Sequence, residues 1–265
     1  MRPSVRVPLP LGRLLVGALL LGVAAPASAQ TILNVERLQP SDVSGWHWGV
    51  EGGISLARGN TDKVDVGVGA IVGYRWPSDW LRVFGRLDYL SEDGDKVDND
   101  RYLHVRFNHR LSERWQTFSF VQLQSRYASL LRRRFLVGGG LRRRLIDGRT
   151  TLDAGTGLMY ESESLDPDED LGDHPAEARV WRMANLVVLT RPLTESVTLI
   201  GVSYIQPRLS DFGDFRTLVD LSLRISLTEN LDLTIQNVWR HDSRPPASVE
   251  ADDYSLKTGF AVSFR

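Results

Sequence analysis

Counted by twos, this chain separates into two walls over most of its length. Over 254–265 one wall is Tyr254, Leu256, Thr258, Phe260, Val262 and Phe264, and the other is Ser255, Lys257, Gly259, Ala261 and Ser263. Successive side chains of a strand point to opposite faces, so the stretch makes an apolar face backed by a small, polar one. Residues 63–76 repeat the pattern, with Val64, Val66, Val68, Ala70, Val72, Tyr74 and Trp76 set against Asp65, Gly67, Gly69, Gly73 and Arg75; only Ile71 interrupts the polar face. Alternation of this kind predicts twelve strands, at 46–60, 63–76, 80–90, 101–111, 115–127, 133–145, 150–163, 179–190, 197–206, 215–227, 231–241 and 254–265. The faces of two stay open. In 115–127, Phe118 and Phe120 compete with Val121 and Leu123, and in 179–190 either choice exposes Arg182 or Asn185.

An even number of strands, tight turns after the even ones and longer connections after the odd ones predict an all-β, antiparallel up-and-down transmembrane β-barrel. The longer connections include two acidic loops, at 91–100 and 164–177. In this arrangement both termini are periplasmic. Trp46, Trp48, Trp76, Trp80, Trp115 and Phe264 fall at the periplasmic rim, and Tyr89, Tyr102, Tyr127, Tyr160, Trp181, Trp239 and Tyr254 at the outer one. Amphipathic rings favour the bilayer interface, so these groups read as two aromatic girdles.

The amino terminus changes the picture most. Arg2, Arg6 and Arg13 precede an apolar run over 14–25, and Ala27-Ser28-Ala29 precedes Gln30. That run is too short to span a bilayer and has the flanks of a secretory signal. The expected organisation is a signal peptide at 1–29, a periplasmic lead-in at 30–45 and the barrel at 46–265, located in a bacterial outer membrane. With no cysteine anywhere, disulfides, a lipid-anchored Cys and Cys-based metal or redox chemistry are excluded. The 32 basic and 33 acidic residues leave a net charge of -1, which gives no argument for nucleic acid.

Candidate chemistry sits on the polar face. That face carries Arg82, Arg86, Arg106, Arg110, Arg134, Arg142, Arg144, Arg216, Arg224 and Arg240, with Glu51, Asp65, Asp88, Asp153, Glu161, Asp220 and Asp232. Either the two signs pair and fill the lumen, because buried charges need partners, or they line a narrow aqueous path in which excess arginine favours anions. The acidic loops hold Glu92, Asp93, Asp95, Asp98 and Asp100, then Glu163, Asp166, Asp168, Glu169, Asp170 and Asp173. Neither matches an EF-hand, so they read as solvated loops, with no metal and no cofactor expected. Arg132-Arg133-Arg134 at the outer rim makes membrane lipid, including lipopolysaccharide phosphate, an expected partner. A lipid-modifying hydrolase is the alternative, with His241-Asp242-Ser243, His47, His104, His109 and His174 as candidates. Adjacent strand residues point to opposite faces, and no nucleophile elbow is present, so a non-enzyme is the expectation.

Several segments carry a family resemblance. They are Gly59-Asn60-Thr61-Asp62, the run F-L-V-G-G-G-L-R-R-R-L at 135–145, Leu227-Thr228-Glu229-Asn230-Leu231, Asp242-Ser243-Arg244-Pro245-Pro246 and Asp253-Tyr254-Ser255-Leu256. The chain resembles the YdiY-type salt-induced outer membrane proteins, a family of unknown function. The resemblance implies an envelope or osmotic-stress setting and assembly by the barrel-assembly machinery, for which such barrels usually end in Phe. Here Phe264 is followed by Arg265. The expected function is a structural, stress-associated or narrow anion-preferring barrel, with the oligomeric state open.

Overall fold

A computed structural model describes residues 44–57 and 63–264. The expected signal peptide, most of the lead-in, the turn at Asn60-Thr61-Asp62 and Arg265 lie outside the described residues. The strands are β1 (Gly45–Ala57), β2 (Lys63–Arg75), β3 (Asp79–Glu92), β4 (Asp95–Arg110), β5 (Trp115–Arg126), β6 (Leu131–Ile146) and β7 (Thr151–Leu165). They continue as β8 (Glu177–Met183), β9 (Asn185–Pro192), β10 (Val197–Arg208), β11 (Asp211–Ser226), β12 (Leu231–Asp242) and β13 (Asp252–Phe264). β8 and β9 are two halves of one stave, because β7 pairs with both. At the break between them, Ala184 N still donates to Gly157 O at 2.9 Å. Every stave is antiparallel to the next, and β13 returns to β1 through Trp48↔Phe264 to Gly52↔Phe260. The result is a closed barrel of twelve staves.

The two walls of each strand become the inside and outside of the cylinder. On β2, Val64, Val68 and Val72 are exposed outward while Gly69, Ile71 and Gly73 are buried inward. The two open faces are decided the same way. On β5, Val121 and Leu123 point out, and Phe118, Gln122, Gln124 and Arg126 are buried. On the split stave, Arg182 points in and Asn185 out, where Asn185 accepts from Thr156 Oγ1 at 2.7 Å and donates to Ile205 O at 3.1 Å. An outward amide is tolerated because a neighbouring strand satisfies it.

The rim holding Gly45 and Phe264 is the near rim; its turns are short, as expected. The far rim departs from the expectation of uniformly long loops. Residues 91–100 are not a loop: β3 and β4 pair up to Glu92↔Asp95 around Asp93-Gly94, with φ 52° and 89°. Two consecutive positive φ values are what a two-residue hairpin turn needs, and Asp-Gly is the dipeptide that adopts them cheaply. β10 and β11 likewise meet across Leu209-Ser210, with Arg208 opposite Asp211. The long far connections are 166–176 and 243–251, and they pack on each other: Ser248 Oγ donates to Asp170 O at 2.9 Å, and Val249 of the second connection is buried, as are Leu131 and Leu165 at the strand ends.

Candidate functional site

The inward side chains form layers along the barrel axis. Near the near rim, Arg142 and Arg144 both reach Asp153, at 2.7 and 2.5 Å, and Arg82 donates to Asn108 at 3.1 Å. At mid-height the polar expectation fails. Phe118, Leu186, Val188, Ile200, Val202, Tyr204, Leu218 and Val238 form a buried apolar cluster inside the lumen, with Phe120 against it. Leu136, Met159 and Ala184 adjoin Phe120 as well, and Ile71, Phe84 and Tyr102 form a further cluster on the opposite arc. A void of only about 30 Å³ remains beside Phe118 and Leu186, room for roughly one or two waters.

Towards the far rim the lumen is tied by charge. Arg216 on β11 reaches Glu161 at 2.6 Å and Glu163 at 3.2 Å, three staves away on β7, and also Asp242 at 3.0 Å. Arg134 donates from Nε to Glu163 at 2.9 Å and also pairs with it through Nη2. Arg182 joins Glu161 at 3.4 Å to Asp214 at 2.8 Å. Beside this group, Arg126 on β5 reaches Asp253 on β13 at 2.8 Å and Asp100 at 3.1 Å, and Arg240 shares Asp253 at 3.2 Å. β5 and β13 are not neighbours; β1 to β4 separate them along the sheet. The Arg126–Asp253 pair therefore crosses the lumen. Buried charges this close tolerate no loss of a partner, which strands the others in a low-dielectric interior.

A third group lies where β13 meets β1. Arg86 donates to Asp88 at 2.6 Å and to Glu51 at 2.8 Å, and Lys257 reaches Asp88 at 3.2 Å. Gly67 makes this packing feasible, since a Cβ there would stand 2.7 Å from both Arg86 and Asp88. Asp220 accepts from Ser222 at 2.7 Å and Gln236 at 2.6 Å. Arg106 lies over the Phe118 ring at 4.9 Å. Arg224 is half-buried between its ladder partners Thr198 and Thr234, Asp65 is half-buried, Arg110 is exposed, and Asp232 accepts from Ser226 at 2.7 Å.

Several members of these groups were missed in the sequence: Arg126, Arg182, Asp242, Asp253, Asp100 and Lys257. Arg126 had a usable signal, because Gln122, Gln124 and Arg126 share one parity opposite Val121 and Leu123. Asp253 had none, since it lay in a segment read as a loop, whereas Asp100 had the Asp93-Gly94 hairpin turn, which places it on a strand.

On the outside, Trp48 stacks on Phe264 at 4.2 Å, Trp46 meets Tyr74 at 5.2 Å, Tyr74 meets Trp76 at 4.5 Å, and Trp115 is exposed. Trp80 departs from that group. It has the parity of Arg82, and its ring lies 3.7 Å under the Arg82 guanidinium inside the mouth. Towards the far rim Tyr160 packs on Trp181 at 5.5 Å, Trp239 donates to Asp252 at 2.9 Å, and Tyr89 and Tyr254 are exposed. Tyr102 also departs from the outer group, being buried in the lumen with its hydroxyl on Gln122 at 3.0 Å. Both exceptions follow from strand parity, which outranks an aromatic's preference for an interface.

The hydrolase candidates do not converge. His241 Nδ1 lies 3.0 Å from Asp252, while Ser243 Oγ donates to Gly213 O at 2.9 Å and accepts from Phe215 N at 2.8 Å. The hydroxyl is committed to a turn. His47 and His104 are buried, His109 pairs with Asp79 at 2.7 Å, and His174 contacts Pro175 O at 3.0 Å. Among the described residues no cluster of His, Asp and Glu is arranged to hold a metal ion. In the 166–176 loop, the backbone N–H of Asp168, with help from Arg132 at 2.8 Å, holds Asp166 below the ordinary carboxylate range.

Comparison with known proteins places the chain. The profile of a family described as "Protein of unknown function, DUF481" matches residues 50–264. The chain belongs to this family. The matched span runs from within β1 to the end of β13, so the family signature covers the barrel wall and the charged groups inside it. None of the curated proteins matches. Among solved structures, the chain is similar to the NanC porin at 13% identity and TM-score 0.48, over 82% of this chain and 99% of that one. It is similar to the KdgM porin at 10% identity and TM-score 0.45, over 83% and 99%. The translocator domain of autotransporter NalP from Neisseria meningitidis is similar at 13% identity and TM-score 0.41, over 84% and 89%.

Proposed function

We propose that this member of the family is an integral barrel of the bacterial outer membrane whose lumen is held shut by its own side chains, so that it does not serve as an open diffusion pore. The carrying observation is the Arg126–Asp253 pair spanning the lumen at 2.8 Å above the mid-height apolar cluster. Arginines tied to carboxylates offer little free positive field to a passing anion. The outward face supports the membrane setting: Val68, Val72, Leu103, Val121, Leu123, Leu158 and Leu221 are all exposed on it, a ring of apolar side chains that water would not tolerate as one continuous surface.

In this reading lipid is the constant partner, lipopolysaccharide phosphate meets Arg133 at the far rim, and the barrel-assembly machinery reads the strand ending in Phe264. An osmotic-stress setting suits a barrel that stays closed. Single-channel recording in planar bilayers tests the proposal. The purified protein is expected to give no stepwise conductance at moderate voltage. Regular anion-selective steps, reduced by Arg86→Gln or Arg216→Gln, would replace it with the narrow anion path.

A further inference from the structure

The wall is not equally closed all the way round. β1 and β13 each have thirteen residues, yet the ladder between them runs only from Trp48↔Phe264 to Gly52↔Phe260. Gly53 still lies against Thr258. Beyond it β1 continues to pair with β2 up to Ala57↔Lys63, and β13 with β12 up to Asp252↔His241, but not with each other. Two strand edges therefore face one another across a gap in the far half of the wall. Ladder groups left open at the depth of hydrocarbon are costly, because lipid tails supply no hydrogen bonds.

A cavity of about 340 Å³ occupies this gap. Its inner end is polar, formed by Glu51, Asp65, Arg86, Asp88 and Lys257. Its lip is apolar, formed by Ile54, Leu256 and Phe260, each more than half exposed on the outer surface. Val66 and Val64, opposite Ile54 and Leu56 on β2, continue the same apolar belt. Gly53, Gly67 and Gly259 line the passage and leave it open.

We propose that this seam is a lateral binding site for a zwitterionic amphiphile, whose polar head enters the lumen-side cavity while its chain stays against the apolar lip in the bilayer. Three carboxylates and two cations line the inner end, so the cavity carries negative charge close to positive. That pattern fits a head group with an ammonium beside a phosphate: the ammonium at Asp65, which is half-buried and outside the ion pairs of Arg86, and the phosphate at Lys257. The head group also supplies donors and acceptors to the two open edges. The inference rests on the outer face lying in lipid.

The test uses the protein reconstituted with lysophosphatidylethanolamine, whose primary ammonium can donate, and released for native mass spectrometry, with flotation on vesicles run in parallel. Wild type is expected to retain one lysolipid. Asp65→Asn is expected to retain it about tenfold more weakly, the loss of one charge-assisted contact. In a chain without cysteine, Ile54→Cys with Thr258→Cys allows the seam to be closed by a disulfide. Oxidation should abolish retention, and reduction should restore it. Equal retention by wild type, Asp65→Asn and the oxidised double variant would overturn the proposal. So would equal retention of lysophosphatidylglycerol, or a lipid-free dimer, which would mean that the open edges pair with a second copy. Absence of retention by wild type that still floats with vesicles rejects the seam site alone; failure of wild type to float rejects the membrane reading beneath it.

Discussion

The arc from β5 to β12 and the seam at β13–β1 are built from the same alternating pattern and solve opposite problems. Along the arc, ladders run nearly the full length of each strand, large apolar side chains meet at mid-height, and Arg134, Arg182 and Arg216 close the space above them. At the seam the inward positions of β1, β2 and β13 include Gly49, Gly53, Gly67, Gly69, Gly73 and Gly259, and half of the ladder is missing. A closed sheet can concentrate its rigidity in one arc and leave the other thin. What differs is the size of the inward residue, because that alone decides whether the lumen is filled or hollow.

The largest test of this contrast is Arg216→Met, which takes the arginine from buried Asp242 and leaves Glu161 and Glu163 with Arg182 and Arg134 alone. Loss of a buried partner costs about 3–5 kcal/mol, read as a shift in urea unfolding from lipid vesicles. Next comes Leu218→Ala, which leaves a void in the mid-lumen cluster and is expected to cost about 3 kcal/mol in the same assay. Gly94→Val forces a β-branched residue to a φ of 89° and is expected to cost roughly 1–2 kcal/mol, with the far hairpin's amides losing hydrogen-exchange protection first. At the seam, Asp65→Asn should move stability by no more than about 0.5 kcal/mol; a cost as large as that of Arg216→Met would make the two arcs equivalent and erase the distinction.

The smallest effect concerns pH. A carboxyl held below its ordinary range contributes stability that is present above that range and lost only as pH falls through the depressed value. The Asp166 anchor of the 166–176 loop should therefore persist on acidification past the point where free carboxylates begin to protonate, with Asp166→Asn abolishing that persistence in protease-nicking assays of the loop.

The twelve staves and most inward and outward assignments were legible in the sequence by itself, because a strand's period of two is local: Val64 to Trp76 declares its faces without reference to any other strand. So was the charged character of the polar wall. The Asp93-Gly94 turn was legible too and was overlooked behind the acidic composition around it. Which charge meets which was not legible. Arg126 and Asp253 lie 127 residues apart and touch only because the sheet closes on itself. The apolar layer inside the lumen was equally hidden, since Leu218 and Val238 sit singly among polar inward neighbours and join Leu186 and Val202 of other strands in a core only when curvature aims them at one point. The open length of the β1–β13 seam belongs to closure as well: the register in which the last strand meets the first is set by the stagger accumulated around the whole circumference, which no local stretch encodes.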